Sequence, residues 1–209
     1  MIKKRVYAYF DAGNFYHLCK SNYGIVKVQY HHLSNHMIKI ESEELKRIKY
    51  FTAPVNQQEC PDMYINQQKF FNKLRATPLL DLVLGKLVSR KLHRINIDCP
   101  ICNLQKAEEL QCPKCENKVL LSNTFKTSEK GVDVSLAIDL LLDALKDKYD
   151  VALLFSSDAD FCPAIKYILK ELGKEIIYCR FPFPQTGELI QCCSGVRIIT
   201  KDIVESSIV

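Results

Sequence analysis

A three-layer α/β/α domain on a mainly parallel sheet is the fold this sequence predicts. Three observations point to it. The runs VYAYF (6–10), VALLF (151–155) and EIIYCRF (175–181) are apolar without polar alternation, as strands covered on both faces are. Stretches of helical character stand between the strands, the alternation that yields a parallel sheet. The 209 residues are 47% hydrophobic and 25% charged, ample for a real core.

The elements follow in order. VYAYF is a first buried strand that stops at Asp11, with DAGN as its turn. Helical stretches are expected near 14–22 and 30–39, and a second strand within LKRIKYFTAPV (45–55). A helix over 66–75 should end near Thr77–Pro78. LDLVLGKLVSRKL (80–92) reads as a strand bent at Gly85. A cysteine-rich insert occupies 98–118 within a single domain spanning 1–209. GVDVSLAIDLLLDALKDKYD (131–150) is mostly helix, and VALLF is the next strand. CPAIKYILKELGK is a helix with Pro163 in its first turn and Gly173 just past its end. EIIYCRF and VRIIT (196–200) complete the strands.

The totals exclude several classes. The basic N-terminus MIKKRVYAYFDAGN is a poor signal peptide, because its apolar run breaks at Asp11. No stretch is long and apolar enough to span a bilayer, so a cytoplasmic protein is expected. A net charge of +5 permits a nucleic-acid partner without demanding one. Ten cysteines without an export signal argue for thiols or metal rather than a disulfide framework. No glycine fingerprint for nucleotide phosphates follows any strand, so no nucleotide cofactor is expected. G-x-S-x-G is also missing.

In parallel sheets, ligands gather beyond the carboxyl ends of the strands. Asp11 lies just past one such end, and Asp158 just past another, in SSDADF (156–161). Asp158 and Asp160 are one residue apart and should repel each other. A third acid, Asp133, opens the 131–150 helix and projects onto the same side as Leu136, Ala137, Leu140 and Ala144. That core-facing side makes an unpaired acid costly. The cost falls if Asp133 points to the sheet's upper edge and shares a cation with Asp11 and Asp158. Carboxylates with retained water suit Mg²⁺ or Mn²⁺, which also offset the Asp158–Asp160 repulsion. Such ions activate water and stabilise displacement at a phosphodiester. The competing accounts are simpler: Asp133 interacting with its helix N-terminus, Asp158-x-Asp160 as a turn or cap, Asp11 as a turn former. Asp139 and Asp143 project to the opposite, solvated side of the helix.

FDAGNFY, EKGVDVSLAIDLL and YDVALLFSSDADFCPAI, in this order, resemble the NYN domain family, PIN-like nucleases that include the LabA-like and DUF88 proteins. The resemblance covers most of the chain. It implies a PIN-like α/β/α fold and metal-dependent ribonuclease chemistry. It implies catalytic roles for Asp11, Asn14, Asp133, Asp158 and Asp160, with Asn14 positioning water or phosphate, and it makes Asp139 a minor candidate. The family pattern S-G-D-S-D-F is altered here, with Ser157 for the glycine and Ala159 for the second serine. A glycine there allows close backbone approach, so Ser157 tightens the site without removing a carboxylate.

CPICNLQKAEELQCPKC sets Cys99, Cys102, Cys112 and Cys115 as two C-x-x-C pairs. Two such knuckles suit tetrahedral Zn²⁺, and a segment this short needs the metal to hold together. This zinc is expected to be structural; a redox dithiol or an iron site uses the same residues. Cys162 begins a helix near Asp158 and reads as packing, and the pair Cys192–Cys193 has no evident metal partner. The Lys86, Arg90, Lys91 and Arg94 stretch, with Lys126 and Lys130, is a candidate phosphate-contacting surface or an ordinary solvated basic face.

These readings converge on a ribonuclease acting on single-stranded or loop RNA. Asp11, Asp133 and Asp158 hold Mg²⁺ or Mn²⁺, with Asp160 in support. The alternatives are a non-catalytic RNA- or protein-binding module and a DNA-directed nuclease. A protein partner or homo-oligomer stays open.

Overall fold

The computed structural model describes residues 2–58, 60–91, 97–98, 105–106, 109–111, 118–120, 125–183 and 186–208, with the backbone alone between 88 and 129. The chain divides into two compact units, Met1–Lys86 with Gly131–Val209, and Leu87–Lys130.

The first unit opens with β1 (Lys4–Asp11), α1 (Ala12–Tyr23), α2 (Tyr30–His36), β2 (Glu43–Thr52), α3 (Pro61–Arg75) and β3 (Leu80–Leu84). Six short strands follow: β4 (Lys86–Lys91), β5 (Ile97–Asp98), β6 (Gln105–Lys106), β7 (Glu109–Gln111), β8 (Lys118–Leu120) and β9 (Phe125–Lys130). The first unit resumes with α4 (Val132–Leu145), β10 (Val151–Phe155) and a 3-10 turn at Ala159–Phe161. It ends with α5 (Cys162–Leu172), β11 (Glu175–Arg180), α6 (Gly187–Cys192), β12 (Gly195–Ile198) and α7 (Lys201–Glu205).

Six strands form one parallel sheet in the order β12-β11-β10-β1-β2-β3. The chain builds outward from β1 to β2 and β3, then crosses to β10 and builds the other way. The order therefore reverses between β1 and β10, the place where open α/β sheets leave a crevice for a ligand.

Pleating splits the core into two layers. Val6, Ala8 and Phe10 of β1 and Val151, Leu153 and Phe155 of β10 face one layer, with Phe15, Leu33, Phe71, Leu74 and Val204 from α1, α2, α3 and α7. Phe10 stacks on Phe155 with ring centroids 3.9 Å apart and planes 11° from parallel. That pins the carboxyl ends of the two central strands side by side. On the other face α4 packs on β1 and β2, and α5 on β11, burying Leu136, Leu140, Ile165 and Ile168.

The 80–92 run breaks at Gly85. β3 joins the main sheet, and β4 pairs with β9 in the second unit. In that unit β5 pairs antiparallel with β6, and β7 with β8. The second unit is wider than the 98–118 segment singled out by its cysteines. Cys99, Cys102, Cys112 and Cys115 lie outside the described residues, as does Arg94. α3 starts at Pro61, earlier than 66, because proline at N1 lacks only an N–H that a helix start leaves unpaired anyway. Gly173 adopts φ 62°, the left-handed cap expected of it. Among the described residues no helix is long and apolar enough to cross a membrane.

Two expectations on α4 need correction. Asp143 is not on a solvated face: it is 2% exposed. It pairs with Lys49 Nζ at 2.5 Å and Lys148 Nζ at 2.9 Å, and accepts from the Tyr9 hydroxyl at 2.9 Å. Asp143 stands seven residues after Leu136 and three after Leu140, on the buried stripe itself, and β2 brings a lysine over it. Asp133, conversely, is exposed rather than core-facing, while its neighbour Val132 is buried. The buried stripe of α4 runs through Val132, Leu136, Leu140, Asp143 and Ala144, which leaves Asp133 at its margin.

Candidate active site

Asp11 is the last residue of β1 and the N-cap of α1. A strand that ends directly in a helix leaves that helix with orphan N–H groups, and a short carboxylate is suited to take one. Asp11 Oδ1 accepts from the Asn14 backbone N–H at 3.2 Å. Its other oxygen, Oδ2, accepts from Ser156 Oγ at 2.8 Å. Asp11 is only 6% exposed. Each of its oxygens keeps a further lone pair after these bonds.

Ser156 follows β10, and Phe10 pairs with Phe155 in register, so Ser156 stands across from Asp11. Its hydroxyl also accepts from the Asp158 backbone N–H at 3.2 Å. Asp158 Oδ1 accepts from the Asp160 N–H at 2.9 Å and so caps the 3-10 turn. That bond accounts for part of the SSDADF spacing: one acid fixes the backbone that presents the next. Asp158 is half-buried and Asp160 exposed.

Asn14 and Ser157 form a second bridge between the same strand ends. The Ser157 N–H donates to Asn14 Oδ1 at 3.0 Å, and the Ser157 hydroxyl donates to the same oxygen at 3.1 Å. Asn14 Nδ2 donates to Ser157 Oγ at 3.0 Å. The Ser157 carbonyl is held in turn by the Thr186 hydroxyl at 2.9 Å. The side chain that replaces the family glycine therefore grips the asparagine rather than standing idle.

The acids sense one another. Burial pushes Asp11 above the usual carboxylate range, and the charges of Asp133 and Asp158 add to the rise. Asp133 is raised chiefly by desolvation, then by Asp158 and Asp160. Among the described residues no lysine or arginine pairs with Asp11, Asp133, Asp158 or Asp160. The fold thus gathers four of the acids singled out in the sequence, with Asn14, beyond the carboxyl ends of β1 and β10. Asp139 is placed apart from them, with Lys49 Nζ at 2.8 Å from its Oδ2.

Among the described residues no three His, Cys, Asp or Glu side chains converge tightly enough to cage an ion. Mg²⁺ needs no such cage: it keeps several waters and takes one or two carboxylates. The free lone pairs of Asp11, the unengaged Oδ2 of Asp158 and the exposed Asp133 fit a hydrated, oxygen-preferring cation of that kind.

Sequence reading missed Ser156 and Thr186. A serine directly after a continuous apolar strand is a weak signal, and nothing local joins Thr186 to residue 157.

The NYN domain model matches residues 5–200. A solved structure of a protein of unknown function from Vibrio parahaemolyticus RIMD 2210633 is similar, with TM-score 0.60 and 17% identity over 96% of this chain and 95% of that one. At that identity the likeness speaks to the fold. No curated protein matches the sequence. With a parallel α/β fold and a family match over nearly its whole length, this chain belongs to the NYN domain family, whose PIN-like nuclease domains act on nucleic acids.

Proposed function

We propose that the chain is a metal-dependent endoribonuclease that hydrolyses single-stranded or loop RNA. The observation that carries the reading is the cluster of acids at the carboxyl ends of β1 and β10. Buried Asp11 lies there with Asp133 and Asp158 near enough to raise its proton affinity, and no described cation offsets them.

Hydrolysis adds a water oxygen to phosphorus, breaks the P–O bond to the leaving ribose oxygen, and passes a proton to that oxygen. Bound Mg²⁺ or Mn²⁺ would supply positive charge against the phosphate and a lowered pKa for water. Asp11, Asp133 and Asp158 are the residues that would hold the ion. Ser156 fixes the Asp11 carboxylate and the backbone of Asp158 with a single hydroxyl. Asn14, braced by Ser157, keeps its second Nδ2 hydrogen for a water or phosphate oxygen. Asp160 supports the centre directly or through water. Zn²⁺ at Cys99, Cys102, Cys112 and Cys115 would be structural and would organise an insert within one NYN domain.

The grip of Ser157 on Asn14 favours one second reading, an RNA-binding module that kept the fold without catalysis. The test is cleavage of end-labelled single-stranded RNA in Mg²⁺ or Mn²⁺, beside matched DNA, EDTA-treated protein and Asp158→Asn. Cleavage of RNA that both controls abolish supports the reading. Cleavage by Asp158→Asn at the wild-type rate places the activity elsewhere. Binding without cleavage selects the module, and cleavage of DNA alone selects the DNA nuclease.

A further inference from the structure

Two buried thiols meet just beyond the acidic turn. Cys162 opens α5 two residues after Asp160, and Cys192 closes α6. Their Sγ atoms are 2.8 Å apart, joining segments separated by 30 residues. A disulfide bond is about 2.05 Å long, so closing the pair needs a shift of only ~0.8 Å. Both cysteines are free and buried, at 8% and 6% exposure. Cys193, next in the chain, is free and partly exposed. The proposed hydrolysis uses none of them, and the described His, Cys, Asp and Glu side chains form no metal group here.

We propose that Cys162 and Cys192 are an oxidation site that closes to an intramolecular disulfide under peroxide. One sulfur attacks the peroxide and breaks its O–O bond, giving a sulfenic acid and releasing water or an alcohol. The second sulfur attacks the sulfenic sulfur; the S–S bond forms, the S–O bond breaks, and the oxygen leaves as water with the thiol proton. Two electrons pass from the two sulfurs to the peroxide, and a dithiol reductant reverses the change.

The environment sets the character of this pair. Burial, reinforced by the Cys192 contact, pushes the Cys162 thiol up to about 12. Oxidation through the thiolate is therefore slow. The same environment gives no stabilised thiolate to favour the reduced form, so the disulfide resists reduction once made. The site suits sustained oxidant rather than rapid sensing.

The bond would tie α6 to the start of α5, directly after the loop that carries the acids. Thr186, which precedes α6, already holds the Ser157 carbonyl. A disulfide at the far end of α6 would fasten that brace and stiffen the segment presenting Asp158 and Asp160.

The test uses the full chain and does not depend on nuclease activity. Protein is incubated with hydrogen peroxide, free thiols are alkylated under denaturing conditions, and unreduced peptides are analysed by mass spectrometry. A Cys162–Cys192 cross-linked peptide, lighter by two hydrogens and lost after dithiothreitol, is expected. Cys193→Ser should retain it, and Cys162→Ser and Cys192→Ser should each abolish it. Equilibration of the wild-type protein in an oxidising glutathione buffer should give the same pair without peroxide. Recovery of both thiols alkylated under both treatments overturns the proposal. So does a Cys192–Cys193 bond, a bond from either residue to the insert cysteines, or oxidation to sulfinic acid without a cross-link.

Discussion

The Ser156 hydroxyl donates to Asp11 Oδ2 at 2.8 Å while accepting from the Asp158 N–H at 3.2 Å. One side chain thereby links the carboxyl ends of two strands that are 145 residues apart in sequence. It does so at the reversal of strand order. Ser156→Ala should lower RNA cleavage or divalent-ion affinity by about 10–100-fold, as loss of a residue that orients metal ligands does. Single-turnover cleavage and Mn²⁺ titration measure it; wild-type values in both would show that Asp11 is held well enough without Ser156.

Asp11 and Asp133 both have raised proton affinity, from burial and from the other acids. For such a carboxyl the folded state binds protons more readily than the unfolded state. Stability is then greatest below the ordinary carboxylate range and declines as pH rises through the raised value. Asp11→Asn removes that slope. The metal-free variant should match or exceed wild type in urea midpoint at pH 7.5, and lose its advantage near pH 4. A variant weaker than wild type at pH 7.5 would mean that the capping bond outweighs the repulsion.

The same raised values make protons and metal compete. Mn²⁺ affinity should weaken as pH falls toward the raised carboxyl values, and Asp133→Asn should flatten that dependence while lowering affinity. Calorimetric titration across the range reads both, and a pH-independent affinity in the wild-type chain would place the ion elsewhere.

Asp143 ties α4 to β1 and β2 through Tyr9 and Lys49. Burial alone would raise its pKa, but hydrogen bonds from Lys49, Lys148 and Tyr9 hold it below the usual range. It therefore contributes stability above the ordinary carboxylate pKa and loses it as pH falls through the depressed value. Removing one partner of a buried pair costs about 3–5 kcal/mol. Asp143→Ala should fall at the lower end, since Lys49 keeps Asp139. Urea denaturation provides the number; a loss below about 1 kcal/mol, the range of exposed pairs, would mean that solvent reaches Lys49 freely.

Ser157→Gly removes two of the three bonds to Asn14 and leaves the backbone N–H in place. At about 1 kcal/mol per hydrogen bond it should lower stability modestly. It should also raise kcat with KM little changed, because the asparagine amide is freed to meet substrate. A fall in kcat would instead make the serine grip part of the productive geometry.

The sequence by itself determined the layers and the positions of the acids. Continuous apolar runs can be buried only on both faces, and Asp11 and Asp158 fall at strand ends whatever the topology. Pro163 and Gly173 likewise punctuate α5 by their own backbone chemistry. The spacing of Asp143 from Leu136 and Leu140 put it on the buried stripe, but its partners were not legible, because the lysines come from β2 and from beyond the end of α4. Only the tertiary structure decided that β1 and β10 are neighbours at the strand-order reversal, that Ser156 and Ser157 bridge them to Asp11 and Asn14, and that Cys162 meets Cys192. Each of these is a pairing across 30 to 145 residues. Local periodicity and propensity reach only a few residues along the chain, whereas such pairings are set by strand order and register, which the whole core selects together.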